Sequence, residues 1–187
     1  MKEIHVKDLM VPLQEYATIG EDASLYDAVL ALEKAQQEFE KSHNTYMHRA
    51  VLVYDENRKV VGKLSQLDLL RGLEPKYKQA AAESGRMMTS GFSRNFLRSM
   101  IRQFSLWDRP LQDICKKASQ LRVKDCMYIP EEGEYVEADD SLDVAIHQLV
   151  LGRHQSLLVT RDKEIAGILR LTDVFKEVCN RIKTCNI

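Results

Sequence analysis

The sequence predicts an α+β protein in which two β-α-β-β-α repeats pack with pseudo-twofold symmetry and a helical insert lies between them. The first observation is a short motif, Val6-Lys7-Asp8-Leu9-Met10, which recurs 117 residues later as Val123-Lys124-Asp125-Cys126-Met127. The second is that the same order of apolar and polar segments follows each copy of the motif. We therefore predict a first repeat at residues 1–75, an insert at 76–121 and a second repeat at 122–187.

The composition is that of an ordinary globular protein. The 187 residues are 44% hydrophobic and 29% charged, and 27 basic against 28 acidic residues give a formal charge of −1. This balance argues against a polycation made for nucleic acid, and no apolar run reaches the about 18 residues that a membrane span needs. The start of the chain lacks the apolar core of a signal peptide, and no cysteine pair has CxxC spacing. We therefore expect a cytoplasmic protein without membrane contact.

An amphipathic helix is predicted after the first strand of each repeat. Four apolar residues of the first repeat have the i, i+3, i+4, i+7 spacing of one helix face: Leu25, Ala28, Val29 and Leu32. The second repeat has apolar residues at all four corresponding positions. Ser24 and Asp27 add the signal of a capping box at the start of the first helix.

A hairpin and a second helix complete each predicted repeat. The offset between the copies falls from 117 to 106, so the first copy carries 11 extra residues near residues 36–46, in its helix or its loop. An apolar run, a polar turn and a second apolar run then predict two strands in each copy. The second helix starts at Asp68 in the first copy and at Asp173 in the second.

The insert is basic although the whole chain is nearly neutral. Residues 76–124 contain eleven basic and three acidic residues. Arg94, Arg98 and Arg102 recur every four residues, which places them on one face of a predicted helix. Another face of that helix is apolar: Phe96, Leu97, Met100, Ile101 and Phe104.

The segment that carries the clearest chemistry is Gly62-Lys63-Leu64-Ser65-Gln66-Leu67-Asp68. Glycine permits the close approach of a ligand at the end of a strand, and the start of a helix favours an anion. A hydroxyl and a carboxylate three residues apart can face one crevice, where a carboxylate suits the two hydroxyls of a ribose. Asp68 and Asp173 are equally compatible with a plain helix N-cap.

The repeated Val-Lys-Asp-x-Met start and the Gly-x-x-Ser-x-x-Asp end resemble a tandem pair of CBS domains, often called a Bateman module. The resemblance covers about residues 4–75 and 120–183. It implies a regulatory module that binds an adenine nucleotide, such as AMP, ADP, ATP or S-adenosylmethionine, in clefts between the repeats. It also implies a homodimer of two modules that form a flat disc.

The resemblance further implies which residues bind the ligand. Asp68 and Asp173 match the position that holds the ribose hydroxyls, and Ser65 matches the hydroxyl that helps to hold the phosphate or the ribose. Four residues on the first and second strands match positions that frame the base: Thr18, Tyr135, Ala50 and Ser156. Three residues just before the second strand match positions that contact phosphates: His48, Arg49 and His154.

Arg170 is the main departure from the family pattern, because it stands where a serine or threonine is expected. It is compatible with two roles. Its guanidinium group could clamp a phosphate with two parallel hydrogen bonds, or its side chain could fill the second cleft and abolish that site. Thr172, beside Asp173, keeps a hydroxyl nearby but out of register.

The sequence therefore predicts a non-catalytic nucleotide sensor, with an adenine nucleotide as ligand and no catalytic cofactor. It contains no P-loop, nucleophile elbow or HExxH motif, so we do not expect an enzyme. The insert is the natural element for an unidentified protein partner to contact. Two alternatives stay open: an interaction scaffold with degenerate, empty clefts, and nucleic-acid binding through the basic insert.

Overall fold

Two β-α-β-β-α units, one in each half of the chain, form the architecture that the repeat predicts. The computed structural model describes residues 3–43, 49–74, 76–77, 93–105 and 113–184. The strands are β1 (Val11–Pro12), β2 (Thr18–Gly20), β3 (Ala50–Tyr54), β4 (Val60–Ser65), β5 (Tyr135–Glu137), β6 (Ser156–Arg161) and β7 (Glu164–Arg170). The helices are α1 (Leu25–His43), α2 (Gln66–Leu73), α3 (Arg94–Phe104), α4 (Ile114–Gln120), α5 (Val123–Cys126), α6 (Leu142–Gly152) and α7 (Leu171–Thr184).

The two repeats have the same strand pairing. In the first repeat, β2 is parallel to β3, and β3 is antiparallel to β4. In the second repeat, β5 is parallel to β6, and β6 is antiparallel to β7. The central strand β3 is almost wholly apolar and buried, and the middle of β6, Leu157–Val159, is also apolar and buried, which suits strands covered on both faces. The bulge between Val53 and Tyr54 recurs between Val159 and Thr160, at the same offset of 106 residues.

The first helix of the first repeat begins at the predicted capping box. The Asp27 backbone N–H donates to Ser24 Oγ at 3.1 Å, and the Ser24 backbone N–H donates to Asp27 Oδ2 at 3.2 Å. These bonds satisfy amide groups that have no partner inside the helix. Helix α1 has 19 residues and its counterpart α6 has 11, so the extra residues of the first copy lengthen its helix.

The described part of the insert contains the predicted basic helix. Helix α3 exposes Arg94, Arg98 and Arg102 on one side, as predicted. Its apolar face is only partly covered, because Met100 is buried while Leu97 and Ile101 are each about half exposed. Of the helices that the structure describes, none has the length and apolar character to cross a membrane.

The repeats exchange their leading segments, residues 4–12 and 121–129. The Val6 side chain is fully buried in the core of the second repeat, and the Lys7 backbone N–H donates to the Ala138 carbonyl oxygen at 2.9 Å. By the same offset of 117, Val123 is fully buried in the core of the first repeat, where its backbone N–H donates to the Ala23 carbonyl oxygen at 3.0 Å. The recurring motif is therefore the part of each repeat that completes the other.

Each leading segment also forms an ion pair with the opposite repeat, and the two pairs are equivalent. Lys7 Nζ lies 2.6 Å from Asp139 Oδ1, and Lys124 Nζ lies 2.7 Å from Asp22 Oδ1. The hydrogen bond from Lys124 holds the pKa of the Asp22 carboxyl below its usual value. Both pairs are exposed, and exposed pairs stabilise a fold only weakly. The two buried valines therefore supply most of the stabilisation.

Each leading segment also pairs with the last strand of the other repeat. Val11 of β1 pairs with Ile168 of β7, and Tyr128 pairs with Lys63 through backbone hydrogen bonds of 2.8 and 2.9 Å. A Cβ atom at Gly62 would lie 2.8 Å from Met127 Sδ, so glycine leaves room for the crossing segment. We expected this glycine to admit a ligand, but in the structure it admits the leading segment of the second repeat.

The exchange predicts a large effect of truncating a buried valine. Val123→Ala removes two methyl groups from a filled core, and we expect a loss of about 2 kcal/mol in the free energy of unfolding. Val150→Ala is the matched control, because Val150 is 66% exposed and its truncation should cost less than about 0.5 kcal/mol. Urea unfolding of both variants measures the difference, and equal losses would contradict the role of the exchange.

Candidate functional site

A cavity of about 440 Å³ lies where the second helix of the first repeat meets the second repeat. Both halves of the chain contribute to its lining. It brings together eight of the residues that the sequence predicted: Arg49, Ala50, Ser65, Asp68, His154, Ser156, Arg170 and Thr172. Residues up to 123 positions apart in the chain therefore share one concave surface, which is the usual form of a small-molecule site.

Asp68 is fixed in the cavity wall by a capping box at the start of α2. Ser65 is the N-cap, and its Oγ accepts from the Asp68 backbone N–H at 3.2 Å. Asp68 Oδ2 accepts in turn from the Ser65 backbone N–H at 3.0 Å and from Ser65 Oγ at 2.6 Å. The N-cap residue is therefore Ser65, and Asp68 is the third residue of the helix. The fixed carboxylate keeps acceptor capacity on its second oxygen, Oδ1.

Cationic side chains outnumber acidic ones in the lining of the cavity. Among the described residues, five basic side chains line it: Arg49, Lys63, Arg71, Arg153 and Arg170. The acidic side chains of this lining are Asp68 and Glu134, and each has a cationic neighbour. Arg71 Nη1 lies 3.4 Å from Asp68 Oδ1, so the carboxylate charge is already partly balanced. The excess positive charge suits an anionic ligand.

A buried charged network joins the two repeats beside the cavity. The Lys63 ammonium group pairs with the Glu134 carboxylate, and the two side chains are only 15% and 3% exposed. Burial by itself would raise the pKa of Glu134, but hydrogen bonds from Lys63 and Tyr128 outweigh it and lower the pKa. The hydrogen bond to Glu134 raises the pKa of the Tyr128 phenol. His154 Nδ1 lies 3.9 Å from Glu134 Oε2, so the network extends to a predicted phosphate-contacting residue.

Sequence reasoning did not find Lys63, Tyr128 and Glu134, although the repeat carried a signal for them. At the offsets of the repeat, their counterparts in the other half are Ile168, Val11 and Ala17. All three are apolar, so the 440 Å³ cavity, which we call the first cleft, has polar groups where the equivalent positions of the other half are apolar. A polar residue that replaces an apolar counterpart in a buried position indicates a specific partner.

The second repeat carries Arg170 and Asp173 at the positions of Ser65 and Asp68. We call each such pair of positions an Asp signature, and the cavity at Asp173 the second cleft. The contacts of Asp173 differ from those of Asp68. Arg170 Nε donates to Asp173 Oδ2 at 2.5 Å, and Arg170 Nη2 donates to Asp173 Oδ1 at 2.8 Å. Burial raises the pKa of the neighbouring Tyr16 phenol to about 12, although the Arg170 charge acts in the opposite direction. Asp173 lines a separate cavity of about 330 Å³ beside the leading segment of the first repeat, and Arg170 lines both cavities.

Four of the predicted site residues are not brought into the 440 Å³ cavity by the described structure. Thr18 is exposed on β2, and Tyr135 is half-buried on β5, where its carbonyl oxygen accepts from Gln148 Nε2 at 3.1 Å. Asp173 lines the separate cavity described above. His48 lies outside the described residues.

Known proteins share this architecture. The plant CBS-pair protein CBSX2 from Arabidopsis thaliana matches with a TM-score of 0.61 and 19% identity, over 98% of this chain and 100% of that one. A structure of CBSX2 in complex with AMP matches with a TM-score of 0.58 and 21% identity, over 94% of this chain and 97% of that one. The CBS domain of a bacterial CNNM/CorC family Mg²⁺ transporter, in complex with ATP, matches with a TM-score of 0.56 and 16% identity, over 94% of this chain and 87% of that one.

All three matches are below 25% sequence identity, so they show a shared fold and nothing further. A comparison with curated proteins finds no significant match. The CBS domain family model matches residues 6–75 and 123–180, which is most of the chain. The chain therefore belongs to the CBS domain family, as a protein with two CBS domains in tandem.

Proposed function

We propose that this protein is a non-catalytic regulatory module that binds a phosphorylated adenine nucleotide in the 440 Å³ cavity. The observation that carries the proposal is the position of Asp68, a carboxylate fixed in the wall of a cation-rich cavity between two CBS domains. A fixed carboxylate suits the ribose hydroxyls, and the cations suit the phosphates. The AMP and ATP complexes of structurally similar CBS proteins support this ligand class.

Each end of the nucleotide has candidate contacts in the lining. We assign the ribose to Asp68 and Ser65, and the phosphates to the side of the cavity that carries Arg49 and His154. Ala50 of β3 and Ser156 of β6 offer a small, partly apolar surface for the base. The cavity is assigned a binding role and no reaction.

The proposed signal is a change in how the two repeats are held together. A ligand in this cavity contacts α2 of the first repeat and the start of β6 in the second, so it adds a link across the exchange. Such a ligand shifts an equilibrium between two arrangements only as far as its affinities for them differ. Helix α3 of the insert, with its exposed arginines, is the element that we assign to a protein partner.

Removing the Asp68 charge is the first test of the proposal. We expect Asp68→Asn to weaken nucleotide binding about 10- to 100-fold, since a hydrogen bond to a charged group contributes about 1.5–3 kcal/mol. Thermal unfolding with AMP, ADP, ATP and S-adenosylmethionine measures this, because a ligand that binds the native state raises the melting temperature.

Asp27→Asn is the matched control, because Ser24 and Asp27 form the same capping box away from the cavity. It should lower the basal melting temperature as Asp68→Asn does and leave the nucleotide-induced shift unchanged. A nucleotide-free wild-type protein that shows no shift with any of the four compounds would contradict the proposed function and favour the scaffold alternative.

The charge of the cavity predicts a preference among adenine compounds. We expect AMP and ATP to bind at least about tenfold more tightly than adenosine, because charge-assisted hydrogen bonds to phosphate are lost with adenosine. S-adenosylmethionine carries cationic groups, so we expect it to bind more weakly than ATP.

Arg49→Gln should reduce the preference for AMP and ATP over adenosine, and Arg58→Gln, on the turn between β3 and β4, should not. Calorimetry at two salt concentrations measures the affinities, and equal affinities for AMP and adenosine would contradict the phosphate assignment.

We also propose the homodimer that the family resemblance implies. Leu70 of α2 and Phe175 of α7, at equivalent positions of the two repeats, are 53% and 60% exposed and supply apolar surface for a second copy. Phe175→Ser should shift the molar mass in light scattering from dimer toward monomer, whereas Ile129→Ser, on an exposed loop, should not. A wild-type protein that stays monomeric at high concentration would contradict this assignment.

A further inference from the structure

The two Asp signatures of the chain differ in the group that faces the carboxylate. At the offset of 105 residues, Ser65 and Asp68 correspond to Arg170 and Asp173. In the first cleft a small hydroxyl contacts one carboxylate oxygen and leaves the other facing Arg71 at 3.4 Å. In the second cleft the Arg170 guanidinium group takes both carboxylate oxygens at 2.5 and 2.8 Å. A ribose at Asp173 would have to displace a bidentate ion pair that is nine-tenths buried.

The positions equivalent to the polar network of the first cleft are apolar in the other half: Val11, Ala17 and Ile168. Tyr16, Val11 and Ile168 are buried together in one apolar cluster with Leu52 and Leu158. The Tyr16 phenol lies close enough to Arg170 and Asp173 for both charges to act on its pKa. The first cleft instead has the polar Lys63, Tyr128 and Glu134 at its lining. The second cleft therefore lacks counterparts of Lys63, Tyr128 and Glu134, and its polar lining comes from other residues.

The charge around Asp173 also opposes a phosphate. Among the described residues, four acidic side chains line the 330 Å³ cavity: Asp8, Glu15, Asp173 and Glu177. Two basic side chains line it, Arg170 and Lys176. With the pairs Arg170–Asp173 and Arg181–Glu177 set aside, the other charged residues of this lining are Asp8, Glu15 and Lys176. In the 440 Å³ cavity the same treatment sets aside Lys63, Arg71 and Arg170 with their partners and leaves Arg49 and Arg153, so the balance is reversed. An anionic ligand thus meets attraction in one cleft and repulsion in the other.

We infer that this CBS pair binds one nucleotide per chain, at Asp68, and that Arg170 is the residue that closes the second cleft. The inference rests on the proposed function, since it concerns how many of the two related clefts hold that ligand. Arg170 lines both cavities, so the ion pair that occupies Asp173 also forms part of the wall of the first cleft. A single residue thereby makes a symmetric fold bind asymmetrically.

Isothermal titration of the full chain with AMP and with ATP tests this inference. We expect one nucleotide per chain in the wild type. Asp68→Asn should weaken binding at least about tenfold, whereas the matched variant Asp173→Asn should change the affinity less than about threefold, because its carboxylate does not face the nucleotide. Two nucleotides per chain, or equal losses in the two variants, would overturn the inference and leave the proposed function standing.

The variant Arg170→Ser tests the inference in the opposite direction, because it should create a second nucleotide site. It restores the serine that the first repeat has three residues before its aspartate, and we expect the stoichiometry to rise from one toward two. The double variant with Asp68→Asn should then keep one binding site. A folded Arg170→Ser variant, verified by its melting curve, that still binds one nucleotide would overturn the role of Arg170. Should this variant not fold, the comparison of Asp68→Asn with Asp173→Asn decides the question. Failure of the wild type to bind any nucleotide would overturn the proposed function itself.

Discussion

The structure depends on one interaction, the burial of a valine from each leading segment in the core of the opposite repeat. Val6 and Val123 are fully buried, and each is followed by a lysine that pairs with an acidic residue of the other half. A repeat of about 60 residues has a small core, so a side chain supplied from outside is a large fraction of it. Because the exchange is reciprocal, neither repeat is complete without the other. The 440 Å³ cavity is a consequence, since the segment that carries Val123 also brings Tyr128 and Glu134 to the first repeat.

The start of α2 combines a structural and a proposed binding role in the same atoms. Ser65 and Asp68 satisfy amide groups at the helix start, as Ser24 and Asp27 do at the start of α1 with closely similar distances. What differs is the surroundings, because one capping box faces a cavity with five cationic side chains and the other does not. Capping therefore does not compete with binding here. It holds the carboxylate in place in the absence of a ligand, and such preorganisation would lower the entropy cost of the binding that we propose.

Pseudo-symmetry of the backbone does not extend to the electrostatics of the two clefts. The Lys63–Glu134 pair has Ile168 and Ala17 as its counterparts, and Ser65 has Arg170. At each of these positions the two repeats carry side chains of different polarity or charge, while the strand register is kept. In the first cleft cationic side chains outnumber acidic ones, whereas in the second the carboxylate of Asp173 is taken by an internal ion pair.

The sequence by itself determined the order of elements, the repeat, the capping box of α1 and the unusual position of Arg170, because these features rest on residues within about one helix turn or on a direct comparison of two copies. It did not determine that the leading segments cross between the repeats, that Lys63 meets Glu134 across 71 positions, or that Thr18 and Tyr135 lie away from the cavity. It also left open which role Arg170 takes; the structure places its guanidinium group against Asp173, and our inference that it closes the second cleft rests on that pair. Local pattern fixes which elements form, whereas the groups that share a cavity depend on how distant elements pack. That packing is decided by the shape and charge of the whole interface between the repeats, which only the tertiary structure contains.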